Sequence, residues 1–303
     1  MTELRPTRLR PGTLAAAVDR VRAAALASGA LQPIETEQER IEDGGVRFVV
    51  RRVSSLALKR LEGHRRAARA AAGAPSNPFL PPEPGLLVAD VSDTHCAVLN
   101  KFYVLDGHLL IVTRAYVDQE TLLDESDFAA LAACMAEMPS LGFYNGGVVA
   151  GASQPHKHLQ MVPLPLAPEG PAVPIEPVLA PVAGAAGIVR VPAFGFPHAF
   201  AWRESAPAAV AEPTRLAALY RALLEAIGVR AVERGDVPSQ SAPYSLLVAG
   251  RWMLAVPRAR EHFGAISINA LGFAGSLFVR DADDLAALRR VGPMAALREV
   301  AGR

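Results

Sequence analysis

A glycine-rich loop that runs into a strand is indicated by residues 146–160, GGVVAGASQPHKHLQ. Successive side chains of a strand point to opposite faces, so His156, His158 and Gln160 are predicted to share one face, while Lys157 points to the other. Two imidazoles and an amide are too polar to be buried without dedicated partners. Because glycine permits a close backbone approach, the loop is predicted to present N–H groups to an anion.

Three interpretations of the two histidines compete. They could be satisfied structural side chains on a half-exposed strand. They could bind a metal, but a third ligand is needed, and the candidates lack motif spacing: His95, Cys96, His108 and Cys134. The third interpretation makes His158 a nucleophile at phosphorus, because an imidazole with an ordinary pKa of about 6.5 is largely neutral and nucleophilic at neutral pH.

The strands around this segment are predicted from hydrophobic patterns. Two apolar runs in residues 95–113 flank Asp106-Gly107, which is typical of a type I′ hairpin. A helix is expected over 125–138, with Asp124 or Ser126 as its N-cap. A short strand, residues 142–144, precedes the glycine-rich loop.

The N-terminal region contains a helix, a turn and a strand. Leu14, Val18, Val21 and Ala25 repeat at helical spacing before Gly29. Other predicted features are the turn Asp43-Gly44-Gly45, the strand Val46–Val53, and a proline-rich segment over 77–84 that is neither helix nor central strand. For the basic segment 59–76, composition favours a solvated loop or a frayed helix over a loop that faces phosphate.

Seven prolines predict a semi-rigid extended linker over residues 163–185. We therefore divide the chain into residues 1–165, which carry the His-x-His-x-Gln motif, a linker over 166–185, and a second part over 186–303.

The second part repeats the same kinds of element. The pattern predicts a strand near 194–202, a helix containing Leu216, Leu219, Leu223, Leu224 and Ile227 that ends at Gly228, strands at 243–249 and 252–257, an extended stretch over 264–279, and helices at 281–290 and 293–301. Trp252 and Met253 are expected in the core, and Arg258, Arg260, Glu261 and His262 on the surface. The fold class is α+β, a mostly antiparallel sheet flanked by helices, in which two related halves are suggested.

Composition excludes several classes of protein. The chain has 303 residues, and 31 Lys and Arg against 30 Asp and Glu give a net charge of +1, which argues against a nucleic-acid binder. The 51% hydrophobic content excludes intrinsic disorder. No apolar run is long enough for a membrane helix, and Asp19, Arg20 and Arg22 interrupt any N-terminal signal peptide. Two cysteines are too few for a disulfide framework, so we expect a cytoplasmic protein. From the charge balance and the lack of a long apolar run, we expect no nucleic-acid or membrane partner.

The segment His156-Lys-His158-Leu-Gln160 resembles the histidine-triad pattern His-x-His-x-Gln, and Gln in the third place resembles its transferase branch. GASQPHKHLQ is similar to ATP adenylyltransferases, also called diadenosine tetraphosphate phosphorylases. Further matching stretches cover nearly the whole chain in order: residues 54–59, 77–79, 99–102, 143–145, 252–258 and 268–275. The resemblance implies a histidine-triad-like fold.

The resemblance also implies a reaction. His158 attacks the α-phosphorus of diadenosine tetraphosphate, ATP leaves, and phosphate releases ADP from the adenylyl-histidine. His156 would orient the site, and Gln160 would donate its amide N–H to a phosphoryl oxygen. Residues expected to bind substrate are Lys59, Asn100, Lys101, Asn145, Gly151, Ala152, Ser153, Gln154, Asn269, Gly272 and Arg280. A divalent cation such as Mg²⁺ is expected with the polyphosphate, and no structural zinc.

Two alternatives stay open from the sequence. Galactose-1-phosphate uridylyltransferase has a related Ser-x-Pro-His-x-His-x-Gln stretch, but its usual Cys-x-x-Cys pair is missing here. The chain could also be a nucleotide-sensing protein that has kept the pocket without turnover.

Overall fold

The computed structural model describes residues 8–53, 77–203, 212–235 and 237–302. Within these ranges the chain forms five α-helices: α1 Leu14–Ser28, α2 Glu125–Met135, α3 Glu212–Ala226, α4 Ala282–Val291 and α5 Pro293–Val300. The predicted end of α1 is confirmed, because Gly29 adopts φ 76° and donates its N–H to the Leu26 carbonyl. Asp124 caps α2, as one of the two predicted candidates.

A nine-stranded antiparallel sheet forms the centre of the molecule. In spatial order its strands are β10 Ile188–Val189, β11 Ala199–Trp202, β15 Trp252–Pro257, β14 Tyr244–Val248, β8 Ser140–Gly146, β9 His158–Pro163, β7 Leu109–Thr113, β5 His95–Leu99 and β4 Leu87–Asp90. The predicted α+β class with a mostly antiparallel sheet is therefore confirmed.

Smaller sheets surround this sheet. A three-stranded sheet joins β2 Thr36–Asp43 and β3 Val46–Val53 to β18 Ser276–Val279, which runs parallel to β3. Three two-stranded pairs are β1 Gln32–Pro33 with β6 Phe102–Tyr103, β12 Ala231–Arg234 with β13 Val237–Gln240, and β16 His262–Phe263 with β17 Ile266–Ser267.

The two halves of the chain follow the same order of connections. In the first half, β5 and β7 lead through α2 to β8 and β9, and β9 returns beside β7. In the second half, β10 and β11 lead through α3 and the β12–β13 hairpin to β14 and β15, and β15 returns beside β11. The halves meet where β8 pairs with β14, so they share one sheet.

The two faces of the sheet bury different layers. Tyr144 and Leu246 point to the face on which α2 and α3 pack. Phe143 and Leu247 point to the opposite face, which is covered by C-terminal residues that include Phe273. Gln160 of β9 pairs with Phe143 and shares this second face. The sheet thus places the predicted site on the side away from α2 and α3.

The predicted type I′ hairpin at Asp106-Gly107 is wrong. Gly107 has φ 69°, but Asp106 does not have a positive φ, which a type I′ turn requires. The connection is longer than two residues, because the β5–β7 ladder closes at the pair Leu99 and Leu109. Between these two residues, Phe102 and Tyr103 form β6, which pairs with β1.

Residues 163–185 also differ from the extended linker that was expected. The segment contains a 3-10 helix at Glu176–Val182, and Leu166, Val173 and Ile175 are buried in the core beside the sheet. The Arg51 guanidinium, itself buried, donates to the Leu166 carbonyl. Apolar burial and this hydrogen bond hold the segment against both halves, which the proline count alone did not reveal.

Other bounds shift by a few residues. The strand expected near 194–202 begins only at Ala199, and the stretch over 264–279 is interrupted by a 3-10 helix at Ala270–Ala274. The basic segment 59–76 lies outside the described residues.

Candidate active site

The catalytic candidates lie where the glycine-rich loop enters β9. This strand begins at His158, and His156 forms only an isolated bridge with Asp118. His158 and Gln160 nevertheless share one face of β9 and line the same cavity. The structure thus shows the predicted shared face for His158 and Gln160.

A backbone hydrogen bond fixes the proton of His158. Its Nδ1 lies 2.8 Å from the His156 carbonyl oxygen, so Nδ1–H donates and Nε2 carries the lone pair. The ring is buried, and the resulting desolvation lowers the His158 pKa to about 4. His158 is therefore neutral at physiological pH, with one nitrogen available as a nucleophile.

His156 is held on both sides. Its Nε2–H donates to the Thr113 carbonyl at 2.8 Å, and its Nδ1 accepts from Asn77 Nδ2 at 2.9 Å. Burial lowers its pKa as well. Both ring nitrogens are thus occupied, and the group of His156 that bonds the His158 ring is its carbonyl oxygen.

Gln160 belongs to a chain of three polar side chains. His108 Nε2 lies 3.0 Å from Gln160 Oε1, and Asn100 Nδ2 lies 3.1 Å from His108 Nδ1. Because His108 donates to the amide oxygen, the Gln160 NH₂ group is the end left for another partner.

The side chain of Gln119 separates β8 from β9 beside His158. The ladder between these strands ends at Phe143 and Gln160. Beyond that pair, Gln119 Oε1 accepts from the His158 N–H at 2.9 Å, and Gln119 Nε2 donates to the Asn145 carbonyl at 2.9 Å. A buried side-chain amide thus replaces the missing strand pairing and lets the loop diverge.

The cavity has a volume of about 220 Å³. Its apolar walls come from residues that include Phe79, Leu86, Val98 and Leu110, and its polar lining includes Asn100, Lys101, Ser153 and Gln154. The Phe79 ring contacts both histidines, with centroids 5.6 Å from His156 and 5.4 Å from His158. Apolar walls with a few polar groups are typical of small-ligand sites.

The glycine-rich loop is a tight turn. Gly147 and Gly151 have φ 88° and 94°, which disfavours side chains at both positions. The N–H groups of Gly151 and Ala152 are already used within the loop, where they donate to Val148 and Gly147. Among the described residues, the N–H groups of Ser153 and Gln154 have no partner, so these two remain available to an anion.

The second half of the chain supports this loop. Asn145 Oδ1 accepts from the Ala270 N–H at 2.9 Å, and Asn269 caps the following 3-10 helix. A Cβ at Gly151 would lie only 3.0 Å from Asn269 Cβ, so Gly151 is required for this contact. Asn145 and Asn269, both predicted to bind substrate, therefore join the two halves around the loop.

Arg258 was expected on the surface, but it is buried. It is 4% exposed, and its guanidinium donates to the Ala150 carbonyl at 3.1 Å and the Ile268 carbonyl at 2.7 Å. Burial lowers its pKa to about 10. Arg258 thus links the glycine-rich loop to the C-terminal segment through hydrogen bonds. The sequence does not indicate its burial, because the carbonyl groups that accept these bonds are distant in sequence.

Six of the described residues predicted to bind substrate do not line the cavity: Asn145, Gly151, Ala152 and Asn269, which form or support the loop, and Gly272 and Arg280. Gly272 packs in the core, where a Cβ would lie 2.7 Å from Ile268. Arg280 is exposed and pairs with Asp284, with Nε 2.9 Å from Oδ2. Lys59 lies outside the described residues. By contrast, Lys101 lines the cavity while its Nζ bonds Glu83 at 2.8 Å.

A buried charge cluster lies between the start of β9 and α2. Lys157, 3% exposed, pairs with Asp127 of α2, which also accepts from His95 Nε2 at 3.0 Å. Burial alone would raise the Asp127 pKa. The charge of Lys157, together with the hydrogen bond and charge of His95, outweighs burial and lowers this pKa to about 2. Removing one partner of a buried pair typically costs about 3–5 kcal/mol. The cluster therefore ties Lys157, which lies between the two histidines just before β9, to the N-terminus of α2.

Sequence reasoning missed the roles of Asn77, Thr113, Gln119 and His108. His108 precedes Leu110 by two residues, and Leu110 pairs with Gln160 across β7 and β9. Strand alternation could have placed His108 beside Gln160 only if that pairing had been known.

The part of the chain that the structure describes contains neither a metal-binding cluster nor a membrane-spanning helix. No group of three or more His, Cys, Asp or Glu side chains is arranged to hold a metal ion in that part of the chain. None of the helices found there is long and apolar enough to cross a membrane.

Both parts of the chain match families of known proteins. Residues 4–181 match the family model of the Ap4A phosphorylase N-terminal domain, and residues 192–303 match that of the ATP adenylyltransferase C-terminal domain. Diadenosine 5',5'''-P1,P4-tetraphosphate phosphorylase 2 of Saccharomyces cerevisiae is 26% identical over 289 residues, which cover 86% of each protein.

Solved structures show the same fold. The crystal structure of yeast Ap4A phosphorylase Apa2 has a TM-score of 0.76 and 22% identity, covering 97% of this chain and 98% of that one. Its complex with Ap4A has a TM-score of 0.77 and 22% identity, with the same coverage. These findings confirm the resemblance and the fold drawn from the sequence.

The buried histidines make stability depend on pH. Burial lowers the pKa of both His108 and His158 to about 4, below the unfolded value of about 6.5. Between these values the unfolded chain binds more protons, so the free energy of unfolding should fall as the pH drops from 7 to 5, on the order of 1–2 kcal/mol per histidine. Denaturant titrations at several pH values measure this, and a flat profile would contradict it.

Proposed function

Because the chain belongs to the Ap4A phosphorylase family, with its N-terminal domain followed by the ATP adenylyltransferase C-terminal domain, we propose that it cleaves diadenosine tetraphosphate with phosphate to ADP and ATP. The observation that carries this proposal is the orientation of His158, whose Nδ1–H is bound by the His156 carbonyl and whose Nε2 is left for attack.

In the first step, His158 Nε2 forms a bond to the α-phosphorus while the bond from phosphorus to the ATP oxygen breaks. The ring then carries positive charge and keeps its Nδ1 proton. The His156 carbonyl, 2.8 Å from Nδ1, stabilises that charge as it develops. The products of this step are adenylyl-histidine and free ATP.

In the second step, an oxygen of inorganic phosphate attacks the same phosphorus. The bond to His158 Nε2 breaks, ADP is formed, and the ring returns to its neutral form. The low pKa caused by burial favours this return, because the site stabilises the uncharged imidazole.

Gln160 accounts for transfer in preference to hydrolysis. An amide donates a hydrogen bond but cannot hand over a proton. Polyphosphates are weak bases and leave without protonation, so this costs little with adenosine polyphosphates. Water is a weaker acceptor than phosphate, and no side chain in our assignment activates it.

The cavity supports binding of one nucleoside next to His158. We assign the nucleoside of the transferred AMP to its apolar walls, and its phosphate to the Ser153 and Gln154 N–H groups. Asn100 and Lys101 line the same space.

We further propose that the reaction takes place in the cytoplasm. The two cysteines, Cys96 and Cys134, are both buried and unpaired, which suits a reducing compartment. Cell fractionation with an antibody against the chain tests this assignment.

The nucleophile is tested by replacing His158 with Ala. We expect covalent labelling by adenine-labelled diadenosine tetraphosphate to disappear and turnover to fall on the order of 10³-fold or more, because no other group replaces Nε2. His198→Ala is the matched control, since His198 Nδ1 also binds the carbonyl two residues earlier, but its Nε2 accepts from Val191. Labelling of folded His158→Ala would disprove the mechanism.

Phosphate dependence tests the reaction type. With phosphate we expect ADP and ATP from diadenosine tetraphosphate, and without it little AMP, because the adenylyl-histidine waits for an acceptor. Chromatography of the products measures both. Equal AMP release in phosphate-free buffer would make the protein a hydrolase.

Metal dependence is a separate proposal. We propose that a divalent cation such as Mg²⁺ enters on the polyphosphate oxygens, where it neutralises charge, and that the chain holds no structural zinc. Elemental analysis should find no stoichiometric zinc, while a chelator should slow turnover until Mg²⁺ is restored. One tightly held zinc per chain would favour a sugar-nucleotide transferase.

A further inference from the structure

The amide of Gln160 can face a phosphoryl group in two ways that have opposite effects. With NH₂ forward it donates to the phosphoryl oxygen, and with oxygen forward it repels that oxygen. Packing distinguishes the two poorly, because both ends of an amide have the same shape. A polar partner on the far side of the amide must therefore decide.

His108 is that partner. Its Nε2 lies 3.0 Å from Gln160 Oε1, and the ring is packed against Phe143 with centroids 5.6 Å apart. Burial keeps the pKa of His108 at about 4, so the ring carries a single proton at neutral pH.

Asn100 decides which ring nitrogen carries that proton. Asn100 Nδ2 donates to His108 Nδ1 at 3.1 Å, so Nδ1 must be the acceptor and Nε2 the donor. The Asn100 backbone N–H also donates to the His108 carbonyl at 2.9 Å, which holds the two residues side by side.

We propose that His108 is a positioning residue that, with its tautomer fixed by Asn100, turns the NH₂ end of Gln160 toward the transferred phosphoryl group. This inference rests on the proposed function. A donor aimed at developing charge contributes about 10²–10³-fold to kcat in other enzymes, so losing the orientation should have a large effect.

A purely structural role predicts something different. If His108 only filled space, its replacement would destabilise the fold or weaken nucleotide binding whether or not Gln160 were present. If it acts through Gln160, its effect on the chemical step disappears when Gln160 is removed.

The test compares His108→Gln with His108→Met, alone and combined with Gln160→Ala. Gln and Met have similar length and shape, but Gln can accept from Asn100 and donate to Gln160, whereas Met can do neither. The rate of adenylyl transfer to His158 in a single turnover is measured, together with AMP affinity and melting temperature as controls for folding.

We expect His108→Gln to stay within about 5-fold of the original rate and His108→Met to lose about 10- to 100-fold with little change in AMP affinity. With Gln160→Ala, the two variants should be equally slow. Equal rates for the two single variants, or an unchanged difference in the Gln160→Ala background, would overturn the inference while leaving the proposed function intact.

A second measurement does not depend on folding of the variants or on turnover. ¹⁵N NMR of histidine-labelled protein should show His108 with its proton on Nε2. A proton on Nδ1 would overturn the inference. Failure of the unsubstituted protein to cleave diadenosine tetraphosphate would instead reject the proposed function.

Discussion

The pairing of β8 with β14 is the constraint on which the site depends. Gly146 opposes Tyr244 and Gly142 opposes Val248 along this ladder, so the two halves form one sheet instead of two. Asn145, on β8 of the first half, can then bond Ala270 of the second half, and Arg258 can reach the Ala150 carbonyl. The glycine-rich loop is therefore supported from both halves, although its sequence lies in only one.

The shared order of connections places β9 and β15 at corresponding positions, and of these two strands it is β9 that lines the cavity. On β9, the face away from α2 presents His158 and Gln160 to a cavity. On β15, which occupies the corresponding place in the second half, the same face presents Trp252, Leu254 and Val256 to the core. The second half thus uses that face for apolar burial against the C-terminal segment, and this burial gives the first half a rigid neighbour.

The sequence predicted what local patterns determine. Helical spacing placed α1, Gly29 ended it, and alternation placed His158 and Gln160 on one face. The sequence predictions failed where contacts between distant segments determine the structure. The Asp106-Gly107 connection is longer than predicted because β6 within it pairs with β1. Arg258 is buried because carbonyl groups from separate segments surround its guanidinium. Gly272 was assigned by resemblance to substrate binding, yet it is needed for close packing of the core.

Burial of the imidazoles has a consequence for charge. The low pKa values of His108 and His158 leave both rings neutral, which keeps Nε2 of His158 nucleophilic but provides no positive charge for a polyphosphate. Within the described cavity lining, positive charge comes from Lys101, which is already bound to Glu83. In the function we propose, a polyphosphate that bound Lys101 would compete with that carboxylate, and breaking the ion pair would offset part of its binding free energy. The proposal thus assigns two tasks to different groups: neutral, oriented side chains act at phosphorus, while backbone N–H groups and a lysine at the cavity hold the anion.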